Sequence, residues 1–318
     1  MSRRVPKDLT ASVRARLLKL SRERNEAFDY VLTRYATERL LYRLSRSPFA
    51  NRFVLKGAAL FNIWCGEPHR PTRDLDFLAY GDSSQGTLHS IFRDICTLKV
   101  EPDGLSFAPD SIRIEEIREP QDYPGWRIGV DAYLGKARIP IQVDVAFGDV
   151  VIPKPQEAEY PTILPFPAPR LRTYPKEAVI AEKLETMVAL GMMNSRMKDF
   201  FDVWFLAHNF EFEGEMLVEA IAATFAQRRT EIPSKAPLAL TDEFAEHSDK
   251  AAQWRAFLQR TGLSIKQGRG LQDAVPQELK GLITDLREFL LLPLRAAATG
   301  QEFRRVWPPR GPWGEPSS

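Results

Sequence analysis

Two carboxylates one residue apart, Asp74 and Asp76 in Arg73-Asp74-Leu75-Asp76-Phe77, stand at the start of an apolar run. In an extended strand, residues i and i+2 project from one face. The two acids therefore share a side, while Leu75 and Phe77 turn toward a core. Carboxylates that converge repel one another unless a hard cation such as Mg2+ neutralises them. Mg2+ held by carboxylates, with water and phosphate oxygens in its other positions, is the equipment of phosphoryl and nucleotidyl transfer. Taken alone, Asp-x-Asp is weak evidence, since two exposed acids at a strand end are common.

Other residues bear on that choice. Asp144 lies in Ile141-Gln142-Val143-Asp144-Val145. There Ile141, Val143, Val145 and Phe147 alternate as a buried face. Asp144 is either a solvated strand residue or a third acid on the Asp74–Asp76 face, and the spacing allows both. Lys183 sits in the apolar stripe Val179, Ile180, Leu184, Met187 and Val188 of a helix predicted over 177–191. A lysine there either snorkels to water or meets an anion, for which a triphosphate in a cleft is the chemical candidate. In Lys198-Asp199-Phe200-Phe201-Asp202, Phe201 joins Trp204 and Phe205 in a core stripe. Asp199 and Asp202 fall on another face, with Lys198 able to pair with Asp202 at i+4. The four histidines are scattered, which argues against a histidine metal site. There is no Gly-x-x-x-x-Gly-Lys-Ser/Thr and no Gly-x-Gly-x-x-Gly.

The elements that position these residues read as an α+β chain. Two amphipathic helices open it, the first capped by Asp8 or Thr10 and carrying Val13, Leu17 and Leu20. The second carries Phe28, Val31, Leu32 and Tyr35, with Arg34 and Arg39 expected to face elsewhere. A helix is predicted from Phe53 to about Ile63, with Gly57 near its start leaving backbone N–H groups open to an anion. The Asp-x-Asp strand follows, then a turn at 81–84, a helix over 88–98 and strands at 112–118, 126–134 and 138–147. Gly135-Lys136-Ala137 joins the last two as a hairpin. Six prolines between Pro153 and Pro169 exclude a helix or central strand and predict an extended connector or edge segment. Helices are then predicted at 176–190, 197–209, 214–227, 239–260 and 276–289. The division expected is a catalytic lobe over 1–170, a helical lobe over 171–305 completing a cleft, and an irregular tail over 306–318.

At 318 residues, 44% hydrophobic and 27% charged, the chain is an ordinary globular protein. Two cysteines cannot build a disulfide framework or a zinc site and fit a reducing, cytoplasmic setting. No apolar stretch reaches the roughly 18–20 residues that cross a bilayer, so no membrane partner is expected. Net charge is only +2, yet basic residues crowd the first 47 positions. They form either a solvated helix face or a surface for a polyanion such as RNA.

Lys56-Gly57-Ala58, Arg70-Pro71-Thr72-Arg73-Asp74-Leu75-Asp76-Phe77, Ala181-Glu182-Lys183 and Arg196-Met197-Lys198-Asp199-Phe200-Phe201-Asp202 occur in that order. Together they resemble the AbiEii/AbiGii-type nucleotidyltransferase toxins of the DNA polymerase β-like superfamily. The resemblance implies that Asp74 and Asp76 bind Mg2+, with Asp144 as the third acid activating an acceptor hydroxyl. It implies NTP phosphate contacts from Lys183, with Lys56, Gly57, Ala58, Thr72, Arg73 and Lys198 around the nucleotide. It further implies that the helix bearing Asp199 and Asp202 completes the site. The family's usual Gly-Gly or Gly-Ser pair is Gly57-Ala58 here, and its usual Ser before the dyad is Thr72. The activity implied is Mg2+-dependent transfer of NMP from an NTP, with the tRNA 3′ end as acceptor and translation as the casualty. A neighbouring antitoxin gene and phage defence are implied with it. The alternatives are transfer to a protein or small molecule, or an inactive NTP- or RNA-binding protein.

Overall fold

The computed structural model describes residues 8–66, 68–72, 74–117, 125–263 and 275–316. The chain forms two compact units. The first comprises Met1–Pro68, Thr72–Gly148 and Gln156–Thr173. The second comprises His69–Pro71, Asp149–Pro155 and Tyr174–Ser318.

The first unit begins with α1 (Leu9–Arg24) and α2 (Phe28–Arg46). Asp8 caps α1 by accepting from the Ala11 N–H at 2.9 Å, and Asn25 ends it in the left-handed region. The strands are β1 (Phe53–Lys56), β2 (Asp74–Ala79), β3 (Ser106–Ile117), β4 (Gly125–Leu134), β5 (Ala137–Phe147), β6 (Gln156–Glu159) and β7 (Arg170–Thr173). Helix α3 (Leu60–Cys65) follows β1, and α4 (Gln85–Thr97) follows β2. The strands make one mixed seven-stranded sheet in the order β3-β4-β5-β2-β1-β7-β6. The fold is thus mixed α+β, as expected. On one face, Phe53, Phe77 and Phe92 pack edge to face, seating α4 against β1 and β2. Part of the proline-rich stretch is the edge strand β6, a position that leaves one side of its backbone unpaired and tolerates flanking prolines.

Two expectations are corrected here. Residues 53–56 are a strand, followed by a 3-10 turn over Gly57–Ala59 and then α3 from Leu60, because this short run pairs on both sides, with β2 and with β7. Arg39 is buried, not solvated. It pairs with Glu38 at 2.9 Å and donates to the Pro167 carbonyl at 2.8 Å, while Glu38 accepts from the Ile163 N–H. Arg43 is likewise buried against Asp103. Both arginines hold the first unit together and are withdrawn from the basic surface.

The second unit is built on α5 (Lys176–Leu190), α6 (Met197–Asn209), α7 (Gly214–Gln227), α8 (Asp242–Glu246), α9 (Ser248–Thr261) and α10 (Leu279–Thr299). The helix predicted over 239–260 is divided, since Thr241 and His247 each accept from an N–H two or three residues on and start a new helix. Helix α10 runs through Pro293, where the sequence predicted an end near 289. Proline at 293 removes the N–H that would bond the Phe289 carbonyl. The Trp313 indole N–H donates to that carbonyl at 2.8 Å instead. The tail is therefore partly ordered: β9 (Val306–Trp307) pairs with β8 (Phe212–Glu213), and Trp313 stacks on Phe289. No helix among the described residues is long and apolar enough to cross a membrane.

Candidate active site

Strand register gives the face on which Asp144 lies. Antiparallel β1 and β2 set Lys56 beside Asp76, and parallel β2 and β5 set Asp76 beside Asp144. Antiparallel β5 and β4 set Asp144 beside Arg127, and β4 and β3 set Arg127 beside Glu115. Five neighbouring strands thus carry one row of charges: Lys56, Asp76, Asp144, Arg127, Glu115. Partners in register point to the same side, so Asp144 shares the face of the dyad. A second row two residues away reads Asp74, Gln142, Gly129, Arg113. Leu75, Phe77, Val143 and Val145 are buried on the opposite face. That apolar face fixes the register, because a one-residue slip would bury every acid.

Asp144 is already engaged. Arg127 Nε and Nη2 donate to its two oxygens at 2.9 and 2.8 Å, and Gln142 Nε2 adds a longer bond at 3.4 Å. These bonds to Asp144 raise the Arg127 pKa further above its ordinary value. Among the described residues no group of three His, Cys, Asp or Glu is arranged to hold a metal ion. Asp74 and Asp76 present hard carboxylate oxygens of the kind suited to Mg2+, which commonly uses one or two carboxylates with water and phosphate oxygens.

Gly57 closes in on the dyad from β1. It takes φ +71°, and a β-carbon built on it would stand 2.1 Å from Asp76 Oδ2 and 2.9 Å from Asp76 Cβ. Only glycine fits both the left-handed conformation and that approach. Ala58 is buried, so its methyl group faces the core. Beside Asp74 the sheet carries an open depression of about 370 Å³, lined by Thr33, Arg113, Glu115, Arg127, Gly129 and Gln142 among others. Gly129 contributes no side chain to fill it.

The second unit gathers the other predicted residues into a buried ion network. Lys183 Nζ lies 2.5 Å from Asp199 Oδ1 and 3.0 Å from Asp202 Oδ2, and its side chain is 13% exposed. Arg196 donates to Asp199 at 2.6 Å. Arg70 forms a two-pronged pair with Asp202 at 2.7 and 2.8 Å, and His69 Nε2 donates to Asp202 at 2.7 Å. Burial opposes ionisation of Asp202, yet Arg70 and Lys183 outweigh it and hold the carboxyl well below its usual range. Burial pushes the His69 imidazole down to about 4, so the ring is neutral at pH 7, stacked parallel on Phe201. Lys183 is therefore not snorkelling. Its charge is matched by two buried aspartates. Lys198 is exposed and does not take Asp202, whose oxygens face Arg70, His69 and Lys183.

The predicted residues thus fall into two sets. Lys56, Gly57, Ala58, Asp74, Asp76 and Asp144 lie together in the first unit, as does Thr72 in the coil before β2. Lys183, Lys198, Asp199 and Asp202 belong to the second. Arg73 lies outside the described residues. The sequence reading missed Arg127, Arg113 and Gly129 on the acidic face and the anchoring role of His69 and Arg70. A signal for Arg127 was present. Counting back from the Gly135-Lys136 turn pairs Leu134 with Ala137, and therefore Arg127 with Asp144.

The family model described as "Nucleotidyl transferase AbiEii toxin, Type IV TA system" matches residues 39–275. The chain belongs to this nucleotidyltransferase toxin family of type IV toxin–antitoxin systems, and an antitoxin is the other half of such a system. No curated protein matches it. Among solved structures it is similar to JHP933 from Helicobacter pylori, at 16% identity and a TM-score of 0.44, over 86% of this chain and 91% of that one. It is also similar to a putative nucleotidyltransferase from H. pylori, at 15% identity and a TM-score of 0.44, over 86% and 94%.

Proposed function

We propose that this chain transfers a nucleoside monophosphate from an NTP to an acceptor hydroxyl at the acidic face of its sheet, releasing pyrophosphate. The observation that carries the reading is the register of β1, β2 and β5, which sets Asp76 between Lys56 and Asp144 with Asp74 on the same face. Family membership supports the reaction class. Asp74 and Asp76 would hold Mg2+, which when bound neutralises charge on phosphate oxygens. Gly57 lets the backbone pass Asp76 closely enough for a triphosphate to be held against it. Asp144 would take the proton of the acceptor hydroxyl as its oxygen bonds to the α-phosphorus and the bond to the leaving pyrophosphate breaks. Positioning supplies most of the remaining rate, as is general for phosphoryl transfer.

The acceptor we propose is RNA, with the tRNA 3′ hydroxyl as the specific candidate and arrest of translation as the effect. The exposed basic residues of α1 and α2, Arg14, Arg22 and Arg46 among them, support a polyanion. Lys183, Asp199 and Asp202 act in this reading through the buried network of the second unit. The test is incubation with each labelled NTP and total tRNA, comparing the wild type with Asp76→Asn. Label on tRNA that requires Asp76 supports the reading. Label on protein or on small molecules redirects the acceptor, and no label from any NTP rejects transfer.

A further inference from the structure

The acidic face contains its own cation. Arg127 gives both prongs of its guanidinium to Asp144, and its charge is also felt by Asp74 and Glu115. A carboxylate with both oxygens bound to one guanidinium gives that partner two of its roughly four lone-pair sites. Such a pair is the strong, geometrically specific kind, yet here it is not sealed in: the Arg127 side chain is 46% exposed and that of Asp144 20%. The depression beside Asp74, which Arg127 itself lines, gives the guanidinium somewhere to go.

We propose that Arg127 is a positioning residue that holds Asp144 away from divalent cations in the free protein, and that Asp144 joins Asp76 at a cation only when Arg127 lets go. The proposal rests on the reading of Asp74 and Asp76 as cation ligands. While the Arg127–Asp144 pair holds, Asp144 adds nothing to cation affinity. A group that attracts Arg127 into the depression, as an anionic phosphate does, completes the site from a distance of one strand. The row order allows this competition, because Asp144 has Asp76 in register on one side and Arg127 on the other.

Binding of Mn2+ alone, without nucleotide, to the full-length chain tests this by electron paramagnetic resonance of the free ion. Arg127→Gln is expected to tighten Mn2+ binding at least tenfold, and Arg127→Lys, which keeps charge but loses the fork, at least threefold. Measured against Asp144→Asn alone, adding Arg127→Gln is expected to bring no gain, a coupling that a double-mutant cycle isolates. Unchanged or weaker Mn2+ binding in both Arg127 variants overturns the proposal. So does a gain that survives Asp144→Asn, since bulk charge would then explain it. If wild type and Asp76→Asn bind Mn2+ alike, the cation reading itself fails and takes the proposal with it. That result is separable from the others because it does not involve Arg127.

Discussion

The α-carbon hydrogens of Gly57 face Asp76 so closely that no β-carbon fits between them: at 2.1 Å from Oδ2 it would lie far inside van der Waals contact. Gly57→Ala must either swing the Asp76 carboxylate aside or distort the turn. It also places alanine at φ +71°, a strain of about 1–2 kcal/mol. The expected outcome is a folded protein, destabilised by about that amount, whose transferase activity falls far more than its stability. Activity reduced only in proportion to folded fraction would show that the approach is incidental.

Asp76→Asn and Asp74→Asn are expected to abolish nucleotidyl transfer by several orders of magnitude and to leave thermal unfolding nearly unchanged. Neither carboxylate is part of the apolar face formed by Leu75 and Phe77. Circular dichroism melts beside a labelled-NTP assay make the comparison, and a folded Asp76→Asn enzyme with normal turnover would sink the proposed site.

Lys183→Met is expected to destabilise the protein strongly. A thioether suits an apolar stripe, but the change strands Asp199 and Asp202 with one cation fewer. Removing one partner of a buried ion pair costs about 3–5 kcal/mol. Chemical denaturation reads this directly. A neutral or stabilising effect would mean that Arg70 and Arg196 alone balance the two acids.

The two units are expected to respond to pH in opposite senses. His69 has its folded pKa depressed to about 4, so the unfolded chain binds its proton first. That contribution is present above about 6.5 and is lost as pH falls toward 4. Burial raises Glu38 to about 7 even against Arg39. For this acid the folded state binds the proton more tightly, so its contribution is greatest at acid pH and is lost as pH rises through about 7. Amide exchange, corrected for intrinsic rates, should show protection in α5 and α6 weakening between pH 6.5 and 5 while that of α2 does not. Glu38→Gln should flatten the dependence in α2. Parallel behaviour of both regions would contradict these assignments.

Charge reversal at Arg14, Arg22 and Arg46 is expected to weaken tRNA binding and to make it less sensitive to salt. For a single strand, the log–log slope should shrink by about 0.7 for every phosphate that the variant no longer neutralises. NTP binding should be nearly unchanged. Arg39 and Arg43 are excluded from this set by their buried pairs. Binding indifferent to the reversals and to salt would make the basic helices a solvated face.

Much of the fold was legible because its signals are local. The alternation around Asp74 and Asp76, the helices over 176–190, 197–209 and 214–227, and the Gly135-Lys136 hairpin each lie within one stretch of chain. What escaped depends on partners distant in sequence. Residues 53–56 become a strand through β7, more than a hundred positions later. Arg39 reads as a surface cation until Glu38 and the Pro167 carbonyl enclose it. Helix α10 passes Pro293 because an indole twenty residues on supplies the missing donor. At the candidate site the dyad was visible from spacing alone. The place of Asp144 was not, since a strand's own alternation gives its two faces but not which neighbour it lies beside.

The anchoring of His69 and Arg70 by Asp202 also has a meaning in time. The ribosome makes the acidic dyad directly after His69 and Arg70, yet the carboxylate that receives His69 follows 133 residues later. At about 5–20 residues per second that interval is on the order of ten seconds. During it the nascent chain carries Asp74 and Asp76 without the partner that fixes the segment leading into them. A fragment ending before Asp202 keeps the dyad and never acquires that anchor. The order of synthesis thus withholds the His69 and Arg70 anchor until helix α6 has been made.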